Sequence, residues 1–224
     1  MAGIKVVGLG PGRFGMITTE SWDIMRTAGH VLLRTAVHPT VSEIREKGVQ
    51  TESYDNFYEQ AEDFDSLYRR IAEDIIHRAQ AGREIVYAVP GSPLVAERTV
   101  VLLRELALRK NVRLEIFPGM SFLDVMYARL GIDPIDGVAV VDAEDLDRLV
   151  HCRDFSMVVT QVYNQRIASD AKITLSEILP DEYGITYVHH LALPDESVRR
   201  IPLFELDRQP DLDHLASVFI PRFA

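Results

Sequence analysis

The 224-residue chain carries 24 Lys and Arg against 34 Asp and Glu, a formal net charge of −10, and is 47% hydrophobic. That length suits one large domain or two of about 100 residues with proper cores, and the acid excess argues against wholesale nucleic-acid binding. One cysteine, Cys152, excludes an internal disulfide and a multi-cysteine zinc site. No apolar run approaches the roughly 20 residues that cross a bilayer, and Lys5 inside the first apolar run does not read as a signal peptide, so a cytoplasmic protein without membrane or nucleic-acid partners is expected.

The first half alternates strands and helices. A strand from Ile4 to Leu9 ends in the turn Gly8-Leu9-Gly10-Pro11-Gly12. A helix from Thr18 to Ala28, a strand from His30 to Arg34, a helix from Val41 to Glu46 and a weaker strand near Val49 to Ser53 follow. The segment Ala61 to Ala81 places Leu67, Ile71, Ile75 and Ala79 on one stripe, the pattern of an outer helix lying on a sheet. A strand from Glu84 to Val89 runs into Pro90-Gly91-Ser92-Pro93, a helix from Pro93 to Arg109 follows, and a strand from Val112 to Phe117 runs into Pro118-Gly119-Met120-Ser121. All three glycine turns sit where a predicted strand stops and a helix starts. They therefore belong at the carboxyl edge of a parallel sheet, where open α/β folds bind ligands.

The second half reads differently. After a helix from Ser121 to Leu130 come a strand at Val138 to Val141, an acidic helix from Glu144 to Val150, a strand at Met157 to Thr160, a helix around Asp170 to Ile178 and a strand at Gly184 to His189. Val198 to Leu206 and Ser217 to Ile220 then read as strands with no helix between them, which requires a mixed sheet. The expected architecture is two α/β domains, residues 1–117 with a mostly parallel sheet and 118–224 with a mixed one. No internal repeat or flexible linker separates them.

Taken singly, each turn has a plain structural explanation. The first fails the dinucleotide fingerprint: Arg13 occupies the third glycine position, Pro11 interrupts the loop, and the second strand ends at Arg34 rather than at an acid. An arginine there could hold the 2′-phosphate of NADP, which leaves an NADP-dependent reductase as a further reading. Ser92 and Pro93 are good N-cap and first-turn residues. Ser121 with Asp124 resembles a capping box.

As an ordered set the motifs say more. Gly-x-Gly-Pro-Gly at the amino terminus, Pro-Gly-x-Pro roughly 80 residues later, Pro-Gly-x-Ser about 28 beyond, and Thr160-Gln161-Val162-Tyr163-Asn164 after a strand resemble the tetrapyrrole (corrin/porphyrin) methylase family over essentially the whole chain. Val86 to Glu97 and Pro202 to Arg208 are most similar to the methylase-like domain that precedes a MazG-type nucleotide pyrophosphohydrolase in some bacterial proteins. With Ala224 about where a second domain would begin, the resemblance implies the leading part of such a fusion.

The resemblance further implies S-adenosylmethionine held in a cleft between two domains, and a homodimer. By position, Val89, Pro90, Gly91, Ser92 and Val95 would form one wall of the cofactor slot, and Pro11 would face it. Ser121 and Phe122 would approach the methionine end, Gln161 and Val162 would cover the adenosine, and Leu191 and Ala192 would lie near the adenine. Many family members have Asp in the place of Ser92, so a carboxylate near the sulfonium is missing here.

The implied chemistry is in-line methyl transfer to a small-molecule acceptor, giving S-adenosylhomocysteine, with alignment as the main contribution. Tyr163, Glu97 and His38 are the candidates for a base, without one being assigned, and Arg13, Arg34 and Arg98 for contacts to an anionic acceptor. The alternative is a cofactor-sensing or docking domain for an attached hydrolase. No metal is expected. His189 and His190 end a strand, where neighbouring side chains point to opposite faces; His151 and Cys152 lack zinc spacing; and Asp142, Glu144, Asp145 and Asp147 read as a solvated helix start. Trp22 reads as core packing on the first helix.

Overall fold

The structure, a computed structural model, describes residues 3–58 and 63–223. The described residues divide into two compact units, Met1–Val125 and Met126–Ala224 by their outer bounds. The first contains β1 (Gly3–Gly8), α1 (Thr19–Ala28), β2 (His30–Leu33), α2 (Thr40–Glu46), β3 (Gln50–Ser53), α3 (Asp55–Tyr58), α4 (Phe64–Gln80), β4 (Ile85–Val89), α5 (Arg98–Arg109) and β5 (Arg113–Ile116). α6 (Phe122–Leu130) runs across the division.

The first sheet has the order β3-β2-β4-β1-β5 and is parallel throughout. Because successive side chains of a strand alternate between faces, Ile4, Val6, Ile85, Tyr87 and Val89 meet Leu67, Ile71 and Ile75 of α4 and Val100 and Leu103 of α5. Val7, Leu9, Val86 and Ala88 meet Met25 of α1 and Val41 and Ile44 of α2. Helices on both faces account for the near-continuous apolar runs of β1 and β4. The stripe expected on the long helix is present, and Asp63 caps it by accepting from Ser66 N at 2.8 Å; its expected start at Ala61 lies outside the described residues.

The second unit contains β6 (Val138–Asp142), α7 (Leu146–Leu149), β7 (Ser156–Thr160), α8 (Gln165–Ser176), β8 (Gly184–His189), β9 (Ser197–Pro202) and β10 (Ala216–Ile220). Its sheet, β6-β7-β10-β8-β9, pairs β6 with β7 in parallel and the other neighbours antiparallel. β6, β7 and β8 therefore share one carboxyl edge. α8 covers one face with Ile167, Ala171 and Leu175, packed against Met157, Val159, Tyr187 and Val218.

Three local expectations change. α5 begins at Arg98, not Pro93, because Ala96 takes φ +53 and breaks any helix across it. α8 begins at Gln165, where the Asn164 side chain accepts from Ile167 N. The expected strand Val198 to Leu206 stops at Pro202, and Leu203–Arg208 forms a 3-10 helix that buries Leu203 and Leu206.

At the end of β1, a Cβ on Gly8 would stand 2.3 Å from the carbonyl oxygen of Gly91, whereas one on Gly15 meets nothing within 4 Å. We expect Gly8→Ala to destabilise the chain by about 3 kcal/mol and Gly15→Ala to change it little; urea unfolding of the two variants gives the comparison.

Candidate functional site

The three glycine turns meet. Leu9 N donates to Val89 O at 2.8 Å, and Gly10 and Gly91 exchange two hydrogen bonds of 3.2 and 2.9 Å as an isolated antiparallel bridge. Gly119 closes the third side: a Cβ there would lie 3.1 Å from the Gly8 Cα and 3.2 Å from Gly91 O. Gly10 and Gly91 both take the left-handed conformation, φ +70 and +64, in which a side chain is strained.

This contact gathers Val89, Pro90, Gly91 and Ser92 beside the turn that carries Pro11, with Ser121 and Phe122 following Gly119. Val89 is fully buried, so it offers only its backbone, while Pro11, Pro90, Gly91 and Ser92 are half-buried. Ser92 does not cap α5; Val95 N folds back onto Ser92 O at 3.2 Å instead. Ser121 does open α6 in a capping box: Leu123 N donates to its Oγ at 2.9 Å, and Ser121 N donates to the Asp124 carboxylate at 2.7 Å.

His38 is built into the cradle. Its Nε2–H donates to the Gly10 carbonyl at 3.1 Å, and its Nδ1 lies 2.8 Å from the buried Thr40 hydroxyl. Burial pushes its pKa down to about 4, although the bond to Gly10 pulls it the other way. Both ring nitrogens are thus occupied and the imidazole is neutral, which makes His38 a prop for the turn rather than a base.

Beside it lies a buried ionic layer. Arg34, whose N–H bonds to Ala88 O, donates through its guanidinium to Glu97 at 3.1 Å. Burial raises the pKa of Glu97 and Arg34 holds it back; burial opposes the charge on Arg34, but Glu97 keeps it cationic. Burial likewise pushes Tyr58 up to about 12 and Tyr87 well above its ordinary value. Arg34 Nε and the Tyr58 hydroxyl are buried without a hydrogen-bond partner, and Glu97 Oε1 and the Tyr87 hydroxyl have none of good geometry, with Thr99 beside both. Each such group costs about 1–3 kcal/mol, so stability alone does not explain the layer. Sequence reasoning named Arg34 and Glu97 separately, but their pairing spans 63 positions and gives no local signal, and Tyr58 and Tyr87 carried no signal of their own. Arg98 stands apart, 3.9 Å from Asp65, and Arg13 is exposed. A broad groove of about 1110 Å³ lined by Lys5, Glu20, Asp23 and Glu84 contains none of the turn residues.

In the second unit, Gln161 follows β7 with φ +63, and Val162 is fully buried. Leu191 and Ala192 follow β8; Ala192 has φ +67, and its N–H donates to Glu196 at 2.8 Å, a carboxylate also held by Arg129. These two pairs lie after strands that run the same way. The expectation that His189 and His190 diverge is overturned: His190 leaves the strand at φ +53, and the two rings stack with centroids 3.7 Å apart. The Cys152 side chain lies outside the described residues. Among the described residues no helix is long and apolar enough to cross a membrane.

A parallel sheet with a glycine cradle at its carboxyl edge, followed by a mixed sheet whose strand ends carry strained turns, defines an α/β protein of two units whose glycine turns stand where open α/β folds bind ligands. The chain matches the family Tetrapyrrole (Corrin/Porphyrin) Methylases over residues 3–207 and belongs to it. It is 40% identical to the uncharacterized protein YabN of Bacillus subtilis over 222 residues, 99% of this chain and 45% of the relative. It is 26% identical over 239 residues to the methyltransferase/borosin precursor cmaMA of Coprinopsis marcescibilis, covering 96% of this chain and 60% of that one. The chain thus spans about half the length of these curated relatives. The fold matches the methyltransferase CobJ with a TM-score of 0.78 at 18% identity, covering 100% of this chain and 95% of the other. Uroporphyrin-III C-methyltransferase from Thermus thermophilus complexed with S-adenosylhomocysteine matches at 0.67 and 18%, over 98% and 92%.

Two outcomes test the site's electrostatics. Removing the cation from a buried pair leaves an uncompensated charge, so Arg34→Met should cost about 3–5 kcal/mol in urea unfolding, and adding Glu97→Gln should recover a substantial part of it. For His38 the folded pKa lies below the unfolded value near 6.5, so its contribution is complete above pH 6.5 and is lost as pH falls toward 4. Over that interval the parent should lose roughly 2 kcal/mol more stability than His38→Asn.

Proposed function

We propose that the chain binds S-adenosylmethionine at the carboxyl edge of its first sheet and transfers the methyl group to a small-molecule acceptor. The observation that carries this reading is the mutual packing of Gly8, Gly10, Gly91 and Gly119, which fixes three turns in one place in a member of a methylase family. The half-buried, polar backbone of Pro11 and Pro90 to Ser92 suits a zwitterionic nucleoside better than a greasy ligand. Val95, Ser121 and Phe122 complete that part of the reading, and Gln161, Val162, Leu191 and Ala192 keep the adenosine contacts that the family resemblance gives them.

When bound, the cofactor supplies an electrophilic methyl on a sulfonium. The chain's own contribution is placement: His38 holds the Gly10 carbonyl, the Gly10–Gly91 bridge holds both turns, and the Ser121 hydroxyl, already accepting from Leu123 N, keeps its proton to donate. Arg34 and Glu97 pair beside the same strand ends, and the burial of the acid makes this pair a support for the cradle. Attachment to a MazG-type pyrophosphohydrolase and a homodimeric state belong to this reading on the sequence resemblance alone.

Calorimetry tests it: S-adenosylhomocysteine and S-adenosylmethionine should each bind one site per chain, and no heat from either sinks the proposal. Ser92→Asp should tighten S-adenosylmethionine relative to the uncharged-sulfur product roughly fivefold, the worth of one partly solvated charge pair of about 1 kcal/mol.

A further inference from the structure

We propose that His189, His190 and Asp213 form a binding site for a divalent transition-metal ion of the zinc type, wholly within the second unit. The three side chains bring ligand atoms to within 4.8 Å of one another. His189 Nε2 lies 3.1 Å and His190 Nε2 3.0 Å from the same Asp213 oxygen, Oδ2. Ligand atoms about 2.0–2.1 Å from a tetrahedral ion are separated by about 3.3 Å, so the spacing is already close to that of a coordination shell. Imidazole with carboxylate is a donor set that suits zinc and its neighbours rather than calcium or magnesium.

Two further observations point to an ion rather than to a polar cluster closed on itself. His189 is 7% exposed, yet its Nε2 has no hydrogen-bond partner of acceptable geometry despite its closeness to Asp213. His190 Nε2 already bonds the same Asp213 oxygen, so that oxygen is shared by two imidazoles, and an ion between the three groups would satisfy the poorly aligned His189 nitrogen better than the carboxylate does. Secondly, the outer nitrogen of His190 is already held by a carboxylate, Nδ1 lying 2.6 Å from Asp195, and His189 Nδ1 faces Asp211 at 3.6 Å, outside hydrogen-bond distance but on the side where such an acceptor sits. Metal-bound histidines almost always direct the remote N–H at such an acceptor, which fixes the tautomer and raises the donor strength of the other nitrogen.

The surroundings fit a dication. Asp195, Asp211 and Asp213 face the two imidazoles, and the cation packed among them, Arg199, is held by Asp211 at 2.6 Å. Asp213 is pinned by Leu215 N on its other oxygen at 2.8 Å. His190 directly follows β8 and takes φ +53. The rings lie within 18° of parallel, so coordination turns at least one of them about its Cβ–Cγ bond to point its in-plane lone pair at the ion. Water takes the remaining position.

The test uses chelator-stripped protein without S-adenosylmethionine, so it is independent of the methyltransferase reading. Zn²⁺ should bind with one equivalent by calorimetry, and Co²⁺ should give the visible absorption of a four-coordinate nitrogen/oxygen site. His190→Gln and Asp213→Asn should each weaken binding at least tenfold, while His151→Gln, at an exposed histidine, should leave it unchanged. In ¹⁵N spectra of the parent, zinc should shift Nε2 of His189 and His190 and leave both rings protonated at Nδ1, a readout that needs no variant. Absence of saturable binding, undiminished binding in the two site variants, or unmoved Nε2 resonances overturns the assignment.

Discussion

The first unit depends on one close approach of backbone to backbone. Gly8, Gly91 and Gly119 come from three segments far apart in the chain; a methyl group on Gly8 would overlap Gly91, and one on Gly119 would press on both. A sheet can tolerate loops of many shapes at its carboxyl edge. Here the loops are made interdependent, because the Gly10–Gly91 bridge extends pairing beyond the ends of β1 and β4 and locks one turn to the next. Three short turns so fixed cost little side-chain entropy and present main-chain groups, which suits a site in which the course of the backbone matters more than residue identity.

What surrounds that contact is polar in a way that stability alone would disfavour. His38 is kept neutral to hold one carbonyl, and Arg34 and Glu97 form an ion pair in which the acid is 5% exposed. Replacing such pairs with apolar residues is often neutral or stabilising. Arg34 directly follows β2 and Glu97 directly precedes α5, so the pair lies at the carboxyl end of the sheet rather than along its faces.

Much of this architecture was legible in the residues. β1, β4 and β8 announce themselves as apolar runs ended by glycine or by a change of pattern, and α4 by its stripe, because periodicity reports directly on which faces are buried. The parallel and mixed sheets followed from the presence or absence of a helix between strands. Capping signals proved ambiguous: Ser121-x-x-Asp124 does cap its helix, whereas Ser92-Pro93, equally good on paper, sits in a turn because Ala96 departs from helical geometry. The run from Val198 onwards read as one strand, but Pro202 cannot donate to a ladder and the chain turns to bury Leu203 and Leu206. The stacking of His189 on His190 was invisible because alternation holds only while the strand continues.

The distribution of strained backbone ties these corrections together. Five described residues other than glycine have positive φ: Ala96, Asn111, Gln161, His190 and Ala192. Asn111 follows the last turn of α5, a place where asparagine tolerates the left-handed conformation. The other four lack that excuse, since a left-handed alanine, glutamine or histidine is destabilised by its own Cβ, and none of them ends a helix. They follow the carboxyl ends of β4, β7 and β8, beside or among the segments that the family resemblance assigns to cofactor contact. Strain of order 1 kcal/mol or more at each persists only where neighbours over-determine it: Ala192 by the Glu196 carboxylate and His190 by Asp195 and Asp213. Independent loops would have relaxed to ordinary turns, so their shared location argues that the shape of these edges, in each unit separately, is what the sequence maintains at the expense of stability.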